Sequence, residues 1–284
     1  RLLCAAGTFF RSGRPCEDCM GTRLLWPGVL HGCYRGSRLE TAGVTVMLGA
    51  HRMLGTWREK VDLFAAPSEF SRGKFIDGGI AEDRIMVIPH FVHPDPGAGR
   101  AEGDFALFVG RLSVEKGIRV LLDAWRRLPQ CPLEICGDGP MRGVVDRFAS
   151  SRPPGTIRVR GARSRQDVFD LMKRARFLVV PSTCYETFSL VIAEAFACGL
   201  PVLSTDIGAA AEIVDDGRTG VHFRSGDPDS LAAGARRLWD RPSQTRAMGS
   251  EARREFLAKY SAEVNYARLM ELYSRARERG GLRG

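Results

Sequence analysis

Two short segments hold the residues best suited to chemistry. In Gly110-Arg-Leu-Ser-Val-Glu-Lys-Gly117 a glycine allows a tight turn after an apolar run, and Arg111 and Lys116 flank the mouth of the helix that follows. Two cations beside a helix N-terminus suit a diphosphate, because exposed amides and the helix dipole add to their charge. The same residues would equally make an ordinary loop with two solvated bases. In Pro181-Ser-Thr-Cys-Tyr-Glu-Thr-Phe-Ser-Leu-Val-Ile-Ala-Glu194, Glu186 stands before a helix predicted to begin near Thr187, with Glu194 about two turns into it. The first free amides, at Phe188, Ser189 and Leu190, then point out of the helix start and can bind phosphate. A carboxylate on either side could accept hydrogen bonds from sugar hydroxyls. Taken alone, Glu194 reads as well as a surface residue and Glu186 as a charge complementing the helix dipole.

The surrounding pattern supplies the elements that would position these groups. Phe105 to Val109, Leu133 to Cys136, Ile157 to Val159, Phe177 to Val180 and Pro201 to Ser204 are short, apolar and bounded by Gly or Pro, as strands covered on both faces are. Between them, Ile118, Leu121, Leu122 and Trp125, then Val168, Leu171, Met172 and Ala175, then Ile192, Ala195, Phe196 and Gly199, follow helical spacing. Repeated strand-helix units predict a parallel sheet with helices on both faces, a Rossmann-like α/β layer. Ligands of such sheets sit at the carboxyl ends of the strands, so chemistry is expected just after Val109, Cys136, Val159 and Val180. Upstream, Val61 to Pro67 and Ile85 to Pro89 read as strands and Ser68 to Phe75 as a helix start, whereas residues 1–60 show little period. The aperiodic His93-Pro-Asp-Pro-Gly-Ala-Gly99 is the best domain boundary.

Composition narrows the class. The 284 residues are 44% hydrophobic and 26% charged, ordinary for a globular protein, and no apolar run approaches a membrane span. The net charge of +9 suits phosphate-bearing ligands or an anionic membrane surface, or is simply a solvated basic face. No Lys/Arg block with interleaved aromatics is present, so nucleic acid is not an expected partner. The chain begins with Arg1 and shows no secretory signal, which reads as the interior of a longer, cytoplasmic protein. Cys131, Cys136, Cys184 and Cys198 read as small core residues. Cys4, Cys16, Cys19 and Cys33 fall close together, with one Cys-x-x-Cys pair: a structural zinc, free thiols and disulfides are all open by spacing.

The ordered set Phe108-Val-Gly-Arg-Leu-Ser-Val-Glu-Lys-Gly117, Ile135-Cys-Gly-Asp-Gly-Pro140, Pro181-Ser182, Glu186-x7-Glu194, Glu194-Ala-Phe-Ala-Cys-Gly-Leu-Pro-Val202 and Gly208 to Glu212 resembles glycosyltransferase family 4, over residues 105 to about 275. The resemblance implies the GT-B fold and retaining transfer from a nucleoside diphosphate sugar without a catalytic metal. It assigns Gly110, Arg111 and Lys116 to the donor diphosphate, and Glu194 to the ribose. Glu186 takes the transferred sugar, with the amides of Phe188, Ser189 and Leu190 at the sugar-phosphate end, and Gly161 to Arg163 lies by the nucleobase. Glu186, Arg111 and Lys116 are then the catalytic set. Ala209 and Ser189 depart from glycines common in relatives, at positions that the resemblance places in the sugar pocket.

The same resemblance divides the chain into residues 1–97, a remnant of the acceptor domain with a Cys-rich segment at 4–33; residues 98–260, the donor-binding domain; and residues 261–284, a C-terminal helix crossing back and a tail. Tyr266, Leu269, Met270 and Tyr273 would pack on the first domain. The family's amino-terminal Gly-rich loop, and a His that relatives often carry just before the segment matching Arg1 to Cys4, have no counterpart. His90 stands where relatives carry Asn. An incomplete enzyme is therefore expected, with a sugar, lipid or glycan as acceptor and peripheral contact with the inner membrane face left open. The four N-terminal cysteines resemble a set in a subgroup of these enzymes. Two alternatives remain: a non-catalytic nucleotide-binding module, and a dinucleotide-dependent oxidoreductase, for which Gly137-Asp-Gly139 lacks the third glycine.

Overall fold

Alternation along single strands builds the larger half of the protein. The computed structural model describes residues 2–22 and 24–281. Residues His90–Val264 form one compact unit, and residues 1–89 with 265–284 a second. In the first, Phe177 and Val179 enter one buried cluster while Leu178 and Val180 enter another, so the strand they share is covered on both faces.

That unit carries six strands. They are β5 (Ala106–Val109), β6 (Leu133–Cys136), β7 (Ile157–Gly161), β8 (Phe177–Val180), β9 (Val202–Thr205) and β10 (Gly220–Phe223). All pair in parallel, in the order β10-β9-β8-β5-β6-β7. One face packs side chains of α7 (Arg165–Arg174), α8 (Leu190–Ala197) and α11 (Pro242–Lys259). The other packs those of α5 (Ile118–Trp125), α6 (Arg142–Ser150) and α10 (Pro228–Asp240). The predicted strands and helices are present, and β10 is an addition that the sequence pattern did not single out.

A buried ion cluster crosses two of these strands. Glu134, whose side chain is 2% exposed, accepts from Arg160 Nη2 and Nε at 2.8 and 2.9 Å and from Arg158 Nη1 at 3.3 Å. Burial opposes the charged carboxyl, but the hydrogen bonds from Arg160 and Arg158 outweigh it and hold its pKa below the ordinary 4.5. Arg160→Ala is expected to cost about 2 kcal/mol, less than for a fully buried pair because Arg160 is partly solvated. A depressed carboxylate stabilises above its ordinary pKa and loses that contribution as pH falls through the folded value. The gap between wild type and variant in urea unfolding should therefore be full at neutral pH and shrink below 4.5. An equal gap at both ends would contradict the account.

The second unit is thinner. It holds a two-residue hairpin, β1 (Phe10–Arg11) and β2 (Arg14–Pro15), then α1 (Trp26–Leu30), α2 (Arg38–Met53) and α3 (Thr56–Glu59). A parallel pair follows, β3 (Phe64–Ala66) and β4 (Ile85–Val87), with α4 (Glu69–Asp77) between them. The helix α2 was not legible as a period. Its buried positions are Thr41, Thr45, Leu48 and Gly49, while Leu39, Val46, Met47 and Met53 face solvent. The terminal α12 (Ala262–Gly281) joins this unit from Asn265 on, where the Asn265 amide donates to Pro89 O at 2.6 Å. Of the stripe expected to pack, Leu269 on α12 is half-buried, whereas Tyr266, Met270 and Tyr273 are exposed.

The zinc expectation finds no support in the structure. Cys4, Cys16, Cys19 and Cys33 are free, and among the described residues no group of three or more His, Cys, Asp or Glu side chains could hold a metal ion. Burial raises the Cys19 and Cys33 thiols, and the neighbouring cysteines raise them further. No helix among the described residues is long and apolar enough to cross a membrane.

Candidate functional site

Strand order fixes where a ligand can enter. The strand β5 has β6 on one side and β8 on the other, so the chain reverses its direction of travel across the sheet between β5 and β8. Loops leaving two such strands diverge to opposite faces and open a crevice at their carboxyl ends. The two segments with chemical potential in the sequence are those two loops.

They are bonded together. Thr183 N donates to Glu115 O at 2.9 Å, tying the loop after β8 to the loop after β5. Gly117, at φ +71°, lies so close to that neighbour that a Cβ there would stand 1.7 Å from Pro181 O. The loop after β6 closes from the other side, with Gly110 N donating to Cys136 O and Leu112 N to Asp138 O at 3.0 and 2.9 Å. A Cβ on Gly137 would meet Gly110 O at 1.9 Å, so this glycine serves loop packing rather than a dinucleotide fingerprint.

The result is a contact across 70 residues of sequence. Lys116 Nζ donates to Glu186 Oε1 at 2.8 Å, with side chains 33% and 11% exposed. Ser182 Oγ donates to the same oxygen at 2.5 Å. Glu194 is held separately. Arg165 Nε donates to its Oε1 at 3.2 Å, while Arg165 Nη1 donates to His93 O at 2.7 Å. Burial pushes the Glu194 carboxyl above its ordinary 4.5, and Arg165 pulls it down without cancelling the effect.

The other expected residues take varied positions. The helix α8 starts at Leu190, three residues later than Thr187, with Ser189 as its cap. Phe188 is buried under His90, the rings edge-on at 5.2 Å. Ser189 Oγ is buried with no hydrogen-bond partner among the described residues, an orphan that a ligand could satisfy. Arg111 and Arg163 are exposed, and Gly161 O accepts from Gly137 N at 2.8 Å. Among the described residues no hydrogen bond or ion pair joins Arg111 or Glu194 to the Lys116–Glu186 pair. An apolar cavity of about 700 Å³ between Leu3, Met20, Leu24, Met53 and Trp57 lies in the second unit and carries no such pair.

Sequence reasoning placed Ser182 in a motif but gave it no role, and did not single out Arg165. Ser182 stands four residues before Glu186 in a polar loop, a signal that could have been read. Arg165 opens a helix 29 residues before Glu194, and nothing local announces its reach.

Residues 104–241 match the family model described as glycosyl transferases group 1. The chain is 30% identical over 182 residues to an uncharacterized glycosyltransferase of Methanocaldococcus jannaschii, covering 64% of this chain and 51% of that protein. It is 32% identical over 187 residues to glycogen synthase of Mycobacterium tuberculosis, covering 64% and 44%. The chain thus spans about half the length of the curated relatives it matches. Among solved structures, Anabaena HepE in complex with UDP matches with TM-score 0.69 at 23% identity, over 83% of this chain and 67% of that one. A glycosyltransferase from Rickettsia africae matches with TM-score 0.70 at 19% identity, over 80% and 67%. These likenesses establish the fold, which is of GT-B type.

Proposed function

We propose that the chain is a member of the group 1 glycosyl transferases, whose family model matches residues 104–241, and that it binds a nucleoside diphosphate sugar and serves retaining transfer of that sugar to an acceptor. The observation that carries this reading is the Lys116–Glu186 contact at the point where the sheet reverses. A cation for a diphosphate and a carboxylate for sugar hydroxyls meet at the one place where a doubly wound sheet opens to a ligand. The crystallised complexes of the Anabaena relative with UDP and with UDP-glucose support the donor class.

In this reading residues 98–260 are the donor-binding domain. Residues 1–97 supply part of the acceptor side, and residues 261–284 the C-terminal helix and tail. Arg111 and Lys116 stabilise the charge that develops on the leaving diphosphate. Glu186 holds the transferred sugar, the start of α8 with Phe188, Ser189 and Leu190 faces the sugar-phosphate, and Glu194 accepts from the ribose. Gly161 to Arg163 borders the base. No step requires a resident metal.

Titration calorimetry with UDP-glucose tests the donor site directly. Glu194→Ala is expected to weaken binding about tenfold, the worth of a hydrogen bond to a charged group. Because the Glu194 pKa lies above the ordinary 4.5, wild-type affinity should fall as pH drops toward it from above, and Glu194→Gln should be flat there. The sugar nucleotide is the proper probe, since its diphosphate has no proton to gain over that range. Undiminished binding by Glu194→Ala would remove the ribose assignment.

A further inference from the structure

Both hydrogen bonds to the Glu186 carboxylate end on one oxygen. Oε1 accepts from Lys116 and from Ser182, while Oε2 accepts from nothing among the described residues. Lys116 thus spends one of its donors on Glu186. A bound diphosphate presents two negative charges to that ammonium and draws it away, because Lys is a flexible point charge. Glu186 then loses its counter-charge at the moment it is needed for the sugar. Ser182 does not share that freedom. It is 1% exposed, directly follows Pro181 at the end of β8, and precedes Thr183, whose amide is fixed to Glu115 O at 2.9 Å. Its side chain has a single rotatable bond to the hydroxyl carbon, so little freedom is lost in holding the contact.

We infer that Ser182 is a positioning residue: its hydroxyl fixes Oε1 of Glu186 while Lys116 moves to the donor diphosphate, and so aims Oε2 at the sugar. This rests on the donor-site reading above and adds to it a division of labour between the two groups on Glu186. The lysine is exchanged between carboxylate and phosphate; the serine stays.

The test compares ligands with and without the sugar. Affinities of UDP and UDP-glucose, and of GDP and GDP-mannose, are measured by calorimetry for wild type, Ser182→Ala and Ser182→Thr, with thermal unfolding as the check on folding. For the wild-type pair that binds, Ser182→Ala is expected to leave the bare diphosphate within about twofold. It should weaken the sugar nucleotide about tenfold, the loss of one hydrogen bond to a charged group. Ser182→Thr keeps the hydroxyl and should restore the wild-type ratio. An equal loss for both ligands, or no loss for either, overturns the inference and leaves the donor site standing. A wild type that binds none of the four ligands overturns the donor-site reading, and the inference with it. If Ser182→Ala does not fold, the Ser182→Thr ratio decides: a ratio reduced as far as that of Glu186→Gln overturns the role of the hydroxyl, and a wild-type ratio supports it.

Discussion

Gly117→Ala is expected to destabilise the protein by about 4 kcal/mol and to abolish binding of nucleoside diphosphates. Two costs add. Alanine at φ +71° sits in the left-handed region, which costs about 1 kcal/mol or more for a residue with a Cβ. The larger cost is steric, because the new methyl would stand 1.7 Å from Pro181 O, an atom of backbone that cannot swing aside. The loops after β5 and β8 must then separate, which breaks the Thr183–Glu115 bond and parts Lys116 from Glu186. Urea unfolding and UDP titration read the two effects independently. A variant of wild-type stability would mean that the two loops are not in contact as described.

Lys116→Ala is expected to lower turnover of the complete enzyme by ~10²-fold or more, by comparison with removal of one donor that stabilises charge in a transition state. The Lys116 side chain is 33% exposed and the carboxylate it faces keeps its bond from Ser182, so the loss of stability is expected to be no more than about 1 kcal/mol. The effect belongs in turnover more than in donor affinity, since a departing diphosphate carries more charge than the bound ground state. Steady-state kinetics with unfolding as a control separates the two. Normal turnover in this variant would sink the role given to Lys116.

Strands and helices of the larger unit were legible because each face of a covered strand must be apolar, and helices against a sheet must repeat at about 3.6 residues. Leu133–Cys136 and Phe177–Val180 are both fully apolar or paired, and their bounds are as read. The start of α8 was misplaced by three residues, since Ser182, Thr183, Thr187 and Ser189 are all residue types that favour a helix N-cap, and the one at that position, Ser189, makes no side-chain capping bond that would mark it. The helix α2 escaped because its buried positions include two threonines and a glycine, a weak periodic signal.

The sequence alone determined which residue types could serve a phosphate and a sugar, and that they follow strand ends: these are local properties, set by side-chain chemistry and by the period of each segment. Only the tertiary structure decided which ends are neighbours. The placing of β8 beside β5 brings Glu186 onto Lys116 across 70 positions, and the turn of α7 brings Arg165 onto Glu194 across 29. Sheet order is chosen by burial of the whole chain, a sum over many weak contacts, and no short segment contains it. The same global choice left α12 with Tyr266, Met270 and Tyr273 in solvent, although its stripe was plain in the sequence.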